Sequence, residues 1–385
     1  MDSLTGASPK APLTPFNDDV TAFLEDVSKI LMKKKEAKQY PDVITFAFFI
    51  RKSSISSLRK KSGVDDGLFR LGRGLAFHIA PSNVPVNFAY SLAAGLLSGN
   101  MNIVRVPSKD FEQVHIIAEA INRGLEEHPE MEGFVNLVRY ERDREINDFF
   151  SGIADIRVIW GGDTTIRELR RSPLPPRSTE ITFADRYSLA VIDSEKYLEI
   201  TDKERTAEDF YNDTFLSDQN ACTSPRMIIW TGKKIPEAKK IFWEEERKTA
   251  KKKYTLQPIQ AVNKLNSIYL LGAAVKGCRV EDHEDNLIIR IRVDEPLPEL
   301  MDHRDNSGYF FEYDCNDLMK LRPLLNDIRC QTIGYIGDKE MFRPLLESGI
   351  KGVDRIVPVG STMDFALIWD GYDLIRQMTR TVTLI

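Results

Sequence analysis

The fold class this chain predicts is α/β, with two intertwined domains, the first built on a parallel sheet and the second a further α/β unit. Three observations point to it. Its 385 residues are too many for one compact core and few for three. From Leu75 to Trp160, short β-branched runs alternate with longer helical stretches, which is the pattern of βαβ units under right-handed crossovers. A second alternation of the same kind follows Arg226.

Taken in order, the pattern predicts two opening helices, Asp18 to Lys38 and Asp42 to Ser62, with Asp18 and Asp42 as early acids complementing the helix dipole. A turn at Gly63 to Gly67 then leads into strand Ala76 to Ala80, helix Val86 to Leu97 and strand Asn102 to Val106. Helix Phe111 to Leu125, strand Phe134 to Arg139, helix Arg142 to Phe150 and strand Ile156 to Trp160 complete this block. Ile181 to Asp193 reads as two strands or one long kinked strand. After it come helix Asp209 to Leu216, strand Arg226 to Thr231 and helices Ile235 to Tyr254 and Pro258 to Val275. Strands near Leu287 to Arg292, Tyr309 to Tyr313, Cys330 to Gly334 and Ile356 to Val359 follow, with a helix at Lys339 to Leu346. The tail from Thr379 to Ile385 alternates polar and apolar residues with high β-propensity, so it is expected as a strand seeking a sheet edge, one such edge being a partner subunit's. The domains expected are a helical segment 1–70, a cofactor domain 71–185, a catalytic domain 186–365 and a C-terminal segment 366–385.

A net charge of −5 weighs against nucleic acid as a partner. The clusters Lys33 to Lys35 and Lys251 to Lys253 are interleaved with other residue types at helical spacing, as solvated helix faces are. Neither a signal peptide nor a membrane-spanning stretch is visible, so a cytoplasmic protein without membrane insertion is expected. Cys222, Cys278, Cys315 and Cys330 are scattered without metal-ligand spacing, which indicates reduced thiols and no metal site. The five histidines stand apart in sequence and read as surface or capping residues.

One cysteine differs from the rest. Asp218 to Arg226 sets Cys222 among small and polar residues, on a tight connection directly before the apolar run Met227 to Trp230. A cysteine kept for packing belongs inside an apolar face. Far upstream, a strand runs into a helix through Pro81-Ser82-Asn83-Val84-Pro85, a turn stiffened by its prolines and carrying an amide. Asn83 reads by default as a helix cap, but a thiol nucleophile and an amide donor are together the minimum for thioester chemistry.

Ligands of a doubly wound sheet bind beyond the carboxyl ends of its strands. Ala80 to Val84, Val106 to Lys109 and Trp160 to Thr164 are therefore expected to converge on one crevice, with Pro81, Ser82, Pro107, Ser108, Lys109 and Gly161 to Thr164 as its cofactor-binding residues. Gly161-Gly162-Asp163-Thr164 leaves a strand and opens a helix, so its backbone N–H groups suit a pyrophosphate, although two glycines alone are ordinary turn punctuation. Arg105, Ser108 and Lys109 would complement a 2′-phosphate, which favours NADP(H) over NAD(H). No G-x-G-x-x-G is present, which disfavours an ordinary Rossmann dehydrogenase.

The strand, Pro-x-Asn-x-Pro turn, glycine-rich third turn and distant Cys222 stand in the order of the aldehyde dehydrogenase superfamily, which the chain resembles. More narrowly, five blocks resemble the LuxC-type long-chain acyl-CoA reductases. They are Val104 to Ser108, Asp218 to Pro225, Gln331 to Tyr335, Gly352 to Gly360 and Trp369 to Asp373. The resemblance implies an aldehyde-dehydrogenase-like fold with a Rossmann-type cofactor domain, an α/β catalytic domain and a C-terminal oligomerisation strand in a homo-oligomer. It also implies that Cys222 accepts the acyl group of an acyl-CoA or other acyl thioester, that Asn83 and the Cys222 N–H hold the oxyanion, and that NADPH reduces the thioester to an aldehyde.

Some features depart from the superfamily pattern. Where oxidising relatives carry Glu-Leu-Gly-Gly, this chain reads Thr179-Glu180-Ile181-Thr182-Phe183-Ala184-Asp185, with Glu180 out of register. Losing a water-activating base fits an enzyme that must not hydrolyse its acyl intermediate. The glutamate-phenylalanine motif that holds the nicotinamide ribose is not visible, and the region before the first Rossmann strand is short. Two alternatives stay open: reduction of an acyl phosphate, and a non-catalytic partner of a LuxE-like acyl-protein synthetase.

Overall fold

The computed structural model describes residues 10–81, 84–281 and 285–384. They form two compact units, one from the described part of Met1–Ala184 with Phe365–Ile385, the other from Asp185–Asp364.

In the first unit, Asn17 caps helix Asp18–Lys33 by accepting the N–H groups of Asp19 and Val20. Val20, Phe23, Val27 and Leu31 then recur at helical spacing and are buried. This helix is shorter than its sequence pattern because Lys34 is extended, and a short 3-10 turn, Glu36–Gln39, precedes Pro41. The second expected helix is two, Pro41–Phe49 and Lys52–Ser62, since Arg51 is extended and restarts the chain.

Strands β1 (Phe69–Gly72), β2 (Leu75–Ile79), β3 (Met101–Arg105), β4 (Val135–Val138), β5 (Ile156–Trp160) and β6 (Thr179–Phe183) follow. The last five form a parallel sheet in the order β4-β3-β2-β5-β6, with a reversal of strand order between β2 and β5. Ile79 is level with Arg105 on one side and Ile159 on the other, so the turns after β2, β3 and β5 leave one edge at the topological switch point.

The opening helices share one apolar core with this sheet and with Leu374, Ile375 and Met378 of the C-terminal segment. Segments 1–70 and 366–385 are therefore not separate bodies. The tail forms a strand, Thr379–Val382, but its partner is β1 of the same chain, antiparallel, with Gly72 opposite Thr379. The two strands form a sheet of their own, which gives the tail the sheet edge that its β-propensity calls for. His78 corrects the expectation of a surface or capping histidine: it is wholly buried on β2, with Nδ1 2.7 Å from Ser91 Oγ and Nε2 3.0 Å from Asn102 Oδ1. Burial pulls its imidazole down to about 4, so it is a neutral core residue.

The second unit holds β7 (Tyr187–Asp193), β8 (Pro225–Thr231), β9 (Cys278–Val280), β10 (Ile289–Val293), β11 (Tyr309–Asp314), β12 (Cys330–Ile336) and β13 (Arg355–Pro358). They form a seven-stranded sheet, β13-β12-β7-β8-β11-β10-β9, parallel except for the edge strand β9. Alternation decides which way its residues face. Leu189, Val191, Met227 and Ile229 enter one core, whereas Ala190, Ile192, Ile228 and Trp230 enter the other. Being apolar on both faces makes β7 and β8 central strands. Among the described residues no helix is long and apolar enough to cross a membrane.

Candidate active site

Cys222 stands three residues before β8, the middle strand of the second sheet. Helix Lys203–Asp213 stops at Thr214, and a 3-10 turn, Phe215–Ser217, follows. Asp218 and Gln219 then both take left-handed backbone conformations, at φ 53° and 52°. Two consecutive non-glycine residues in that region are strained and persist only where their surroundings hold them.

The surroundings do hold them. The Gln219 side chain is fully buried, and its Oε1 accepts from the N–H groups of Gly308 (2.7 Å) and Tyr309 (3.0 Å). Its Nε2 donates to the Pro225 carbonyl at 3.2 Å, tying the turn to β8. The Asp218 carboxylate accepts from the Tyr254 hydroxyl and from Gln260 Nε2. Arg226, the second residue of β8 and 6% exposed, turns its guanidinium back under the loop. It donates to the Gln219 carbonyl, to the Asp305 carbonyl (2.7 Å) and to Asn306 Oδ1 (2.6 Å), all neutral oxygens. Burial, and after it the neighbouring Arg304 cation, lowers the guanidinium to about 10, so it remains charged at neutral pH. Ser188 Oγ donates to the Cys222 carbonyl at 2.7 Å. The half-buried cysteine thus sits on a turn braced from both sides and from below.

A cavity of about 290 Å³ opens beside it, lined by Cys222, Asn220, Asn306, the aspartates 185 and 305 and the arginines 186, 226 and 304. Among the described residues no apolar side chain lines it. Asp185 pairs with Arg304, and Arg186 with Asp354. All four cysteines are outside disulfides, and among the described residues no cluster of metal-ligating side chains occurs.

The expected cofactor residues lie in the first unit. Asn83 and Ser82 fall outside the described residues. Pro81 follows β2, Pro107 is buried after β3, and Ser108 and Lys109 are exposed beside it. Gly162 caps helix Asp163–Leu169, with Gly162, Asp163 and Thr164 exposed. This open edge, with backbone at a switch point and Lys109 beside it, fits a dinucleotide. Two details modify the expectation. The Gly161 N–H is committed to the Phe183 carbonyl at 3.1 Å. Arg105 donates to the Tyr140 carbonyl and lies over its ring, 4.7 Å from the centroid, so the only exposed cation here is Lys109 among the expected residues. Glu180 is held by Arg157 and Arg170 on β6, which suits a carboxylate in an ion-pair network better than a base.

The sequence reading missed Gln219 and Arg226. Arg226 had a visible signal, a lone cation heading a strand that is otherwise apolar.

The family model for acyl-CoA reductase (LuxC) matches residues 54–269. The chain is similar to the long-chain acyl-protein thioester reductase of Vibrio harveyi, 22% identical over 320 residues that cover 81% of this chain and 64% of that protein. It is also similar to long-chain acyl-protein thioester reductase 2 of Photobacterium leiognathi, 26% identical over 177 residues, covering 46% and 35% respectively. The match thus spans less than two thirds of the length of both relatives. Among solved structures, aldehyde dehydrogenase 21 of Physcomitrella patens superimposes with a TM-score of 0.67 at 14% identity, over 94% of this chain and 85% of that one. A benzaldehyde dehydrogenase of Corynebacterium glutamicum gives 0.64 at 14% identity, over 96% and 85%. At these identities the structural likeness concerns the fold.

Proposed function

Because this chain belongs to the acyl-CoA reductase (LuxC) family and has the aldehyde dehydrogenase fold, we propose that it reduces an activated acyl group to an aldehyde through a thioester on Cys222. The observation that carries the reading is the braced turn that sets a half-buried thiol at the head of the central strand. The sulfur attacks the acyl carbon, the carrier thiolate leaves, and the acyl group stays on Cys222. A thiolate is both a strong nucleophile and a tolerable leaving group. Asn83 and the Cys222 N–H are assigned to the oxyanion. NADPH supplies the hydride when bound, for which Pro81, Ser82, Arg105, Pro107, Ser108, Lys109 and Gly161 to Thr164 remain the assigned residues, with Lys109 the exposed cation for a 2′-phosphate. Cys222 then leaves the reduced acyl carbon as thiolate, releasing the aldehyde. In the reducing cytoplasm, where we place the protein, the thiol stays available.

Intact-mass spectrometry of wild type and Cys222→Ala with a panel of acyl-CoA thioesters, NADPH withheld, tests the reading. An acyl increment on wild type alone, discharged by NADPH, supports it. An increment of equal size on Cys222→Ala would overturn it. Asn83→Ala is expected to lower turnover by ~10²-fold or more without unfolding the protein, and an unchanged kcat would return Asn83 to a capping role.

A second reading is an acyl phosphate donor, for whose anionic leaving group Arg304 and Arg186 of the cavity would exchange their partners Asp185 and Asp354. Phosphate release coupled to NADPH oxidation would select it. In the first reading the same predominantly polar cavity receives the carrier side of the donor, since among the described residues no apolar side chain lines it.

For partners we propose a LuxE-like acyl-protein synthetase as acyl supplier and a second copy of this chain. Helix Pro258–Ala274 buries only Lys264 and Leu271, whereas Ile259, Val262, Leu265, Tyr269 and Leu270 stand 48–68% exposed. Next to it β9 ends the sheet as an edge. Tyr269→Glu with Leu270→Lys is expected to shift light-scattering mass to the monomer, and an unchanged mass would remove this face from the interface.

A further inference from the structure

We infer that Asp213 is a positioning residue for the reaction at Cys222, acting by holding loop 358–364 against the residue that follows the nucleophile. This rests on the reading of Cys222 as nucleophile. Asp213 ends helix Lys203–Asp213 and is fully buried. Its two carboxylate oxygens accept from the backbone N–H groups of Gly360 (2.6 Å) and Thr362 (3.0 Å). The Arg355 guanidinium donates to the carbonyls of Ser361, Thr362 and Asp364, the last at 3.0 Å. The loop is therefore held through its donors by an anion and through its acceptors by a cation. Gly360 is at φ 93°, and a Cβ there would lie 2.7 Å from Asp209 Cβ, so the loop fits against the helix only with glycine. The product of this clamp is one contact: Thr223 Oγ1 meets Met363 Sδ at 3.1 Å, directly beside Cys222.

The clamp responds to pH. A carboxylate accepts through both oxygens, whereas its acid form turns one of them into a donor, facing an N–H that also donates. Burial, opposed by the N–H groups of Gly360 and Thr362, lifts Asp213 to about 7. The charges around it do not offset this. Asp364 of the loop raises it further. Glu246 of helix Ile235–Lys253 is fully buried, and that burial raises its carboxyl well above the usual carboxylate range. On Asp213's own helix, Asp209 is paired with Arg205 and Glu208 with Lys253. A raised carboxyl contributes stability that is fully present in the acid range and is lost as pH rises through about 7. Loop order runs the other way, since it needs the ionised form. Global stability and loop order therefore change in opposite directions across the same window.

Hydrogen exchange of the full chain, read by mass spectrometry between pH 5.5 and 8.5 and corrected for intrinsic rates, tests this. In wild type, protection of the Gly360 and Thr362 amides is expected to fall roughly tenfold on acidification, while D213N is low and flat. The KM for the acyl donor is expected to rise in D213N by about the same factor, with kcat changing less. Flat protection in wild type, or wild-type protection in D213N, would overturn the proposal. If D213N does not fold, the wild-type pH series alone decides. If no acyl donor is reduced by wild type, the reductase reading fails, whereas the exchange data still decide whether Asp213 holds the loop.

Discussion

Replacing Cys222 by alanine is expected to lower aldehyde formation by at least ~10⁴-fold while leaving the fold intact. The chemical half follows from the step assigned to the sulfur: without it no covalent acyl intermediate forms, and the oxyanion donors and the bound donor have nothing to act on. The structural half follows from where the side chain sits. Cys222 is half-buried, and the braces of its turn run through the side chains of Asp218, Gln219 and Arg226 and through the Cys222 carbonyl, all of which alanine leaves in place. The stability change should therefore stay within about 0.5 kcal/mol. NADPH oxidation and urea unfolding on the same preparation measure both halves. Retained turnover would remove Cys222 from the mechanism, and a large loss of stability would show that its place in the turn is misread.

Much of this site was legible in the sequence because it obeys local rules. Cys222 stood out for being a cysteine in the wrong company for packing, and Ile156–Trp160 was bounded correctly because its apolar run is short and flanked by a glycine turn. What could not be read was set at long range. Nothing local says that Gln219 finds Gly308 and Tyr309, or that a β-prone tail finds β1. His78 shows the same limit: a histidine inside an apolar strand is buried when Ser91 and Asn102 arrive to satisfy both ring nitrogens, and those partners come from a helix and the next strand. The opening helices were over-extended because their apolar periodicity continues past Lys33 and Phe49 while the backbone breaks to fit one core.

Arg226→Ala is expected to have the largest effect on stability, about 3 kcal/mol or more, together with a loss of turnover. Alanine at this position leaves the carbonyls of Gln219 and Asp305 and Asn306 Oδ1 without their donor beneath the loop. Each orphaned acceptor costs about 1–3 kcal/mol. Removing a buried cation gives part of this back, because its partners are neutral oxygens and burial already disfavours its charge. The net remains unfavourable, since three acceptors lose one donor and the strained conformations at Asp218 and Gln219 lose a restraint. Arg226→Lys separates the contributions. It keeps the charge, but a single ammonium lacks the planar fork that spans Gln219 on one side and Asp305 and Asn306 on the other. Its stability should therefore fall between wild type and alanine, while the rate of Cys222 alkylation moves toward that of the alanine variant. Lysine matching wild type in both would mean that charge alone sustains the turn. Alanine matching wild type in stability would mean that the bonds of Gln219 to Gly308, Tyr309 and Pro225 hold the nucleophile without help from below.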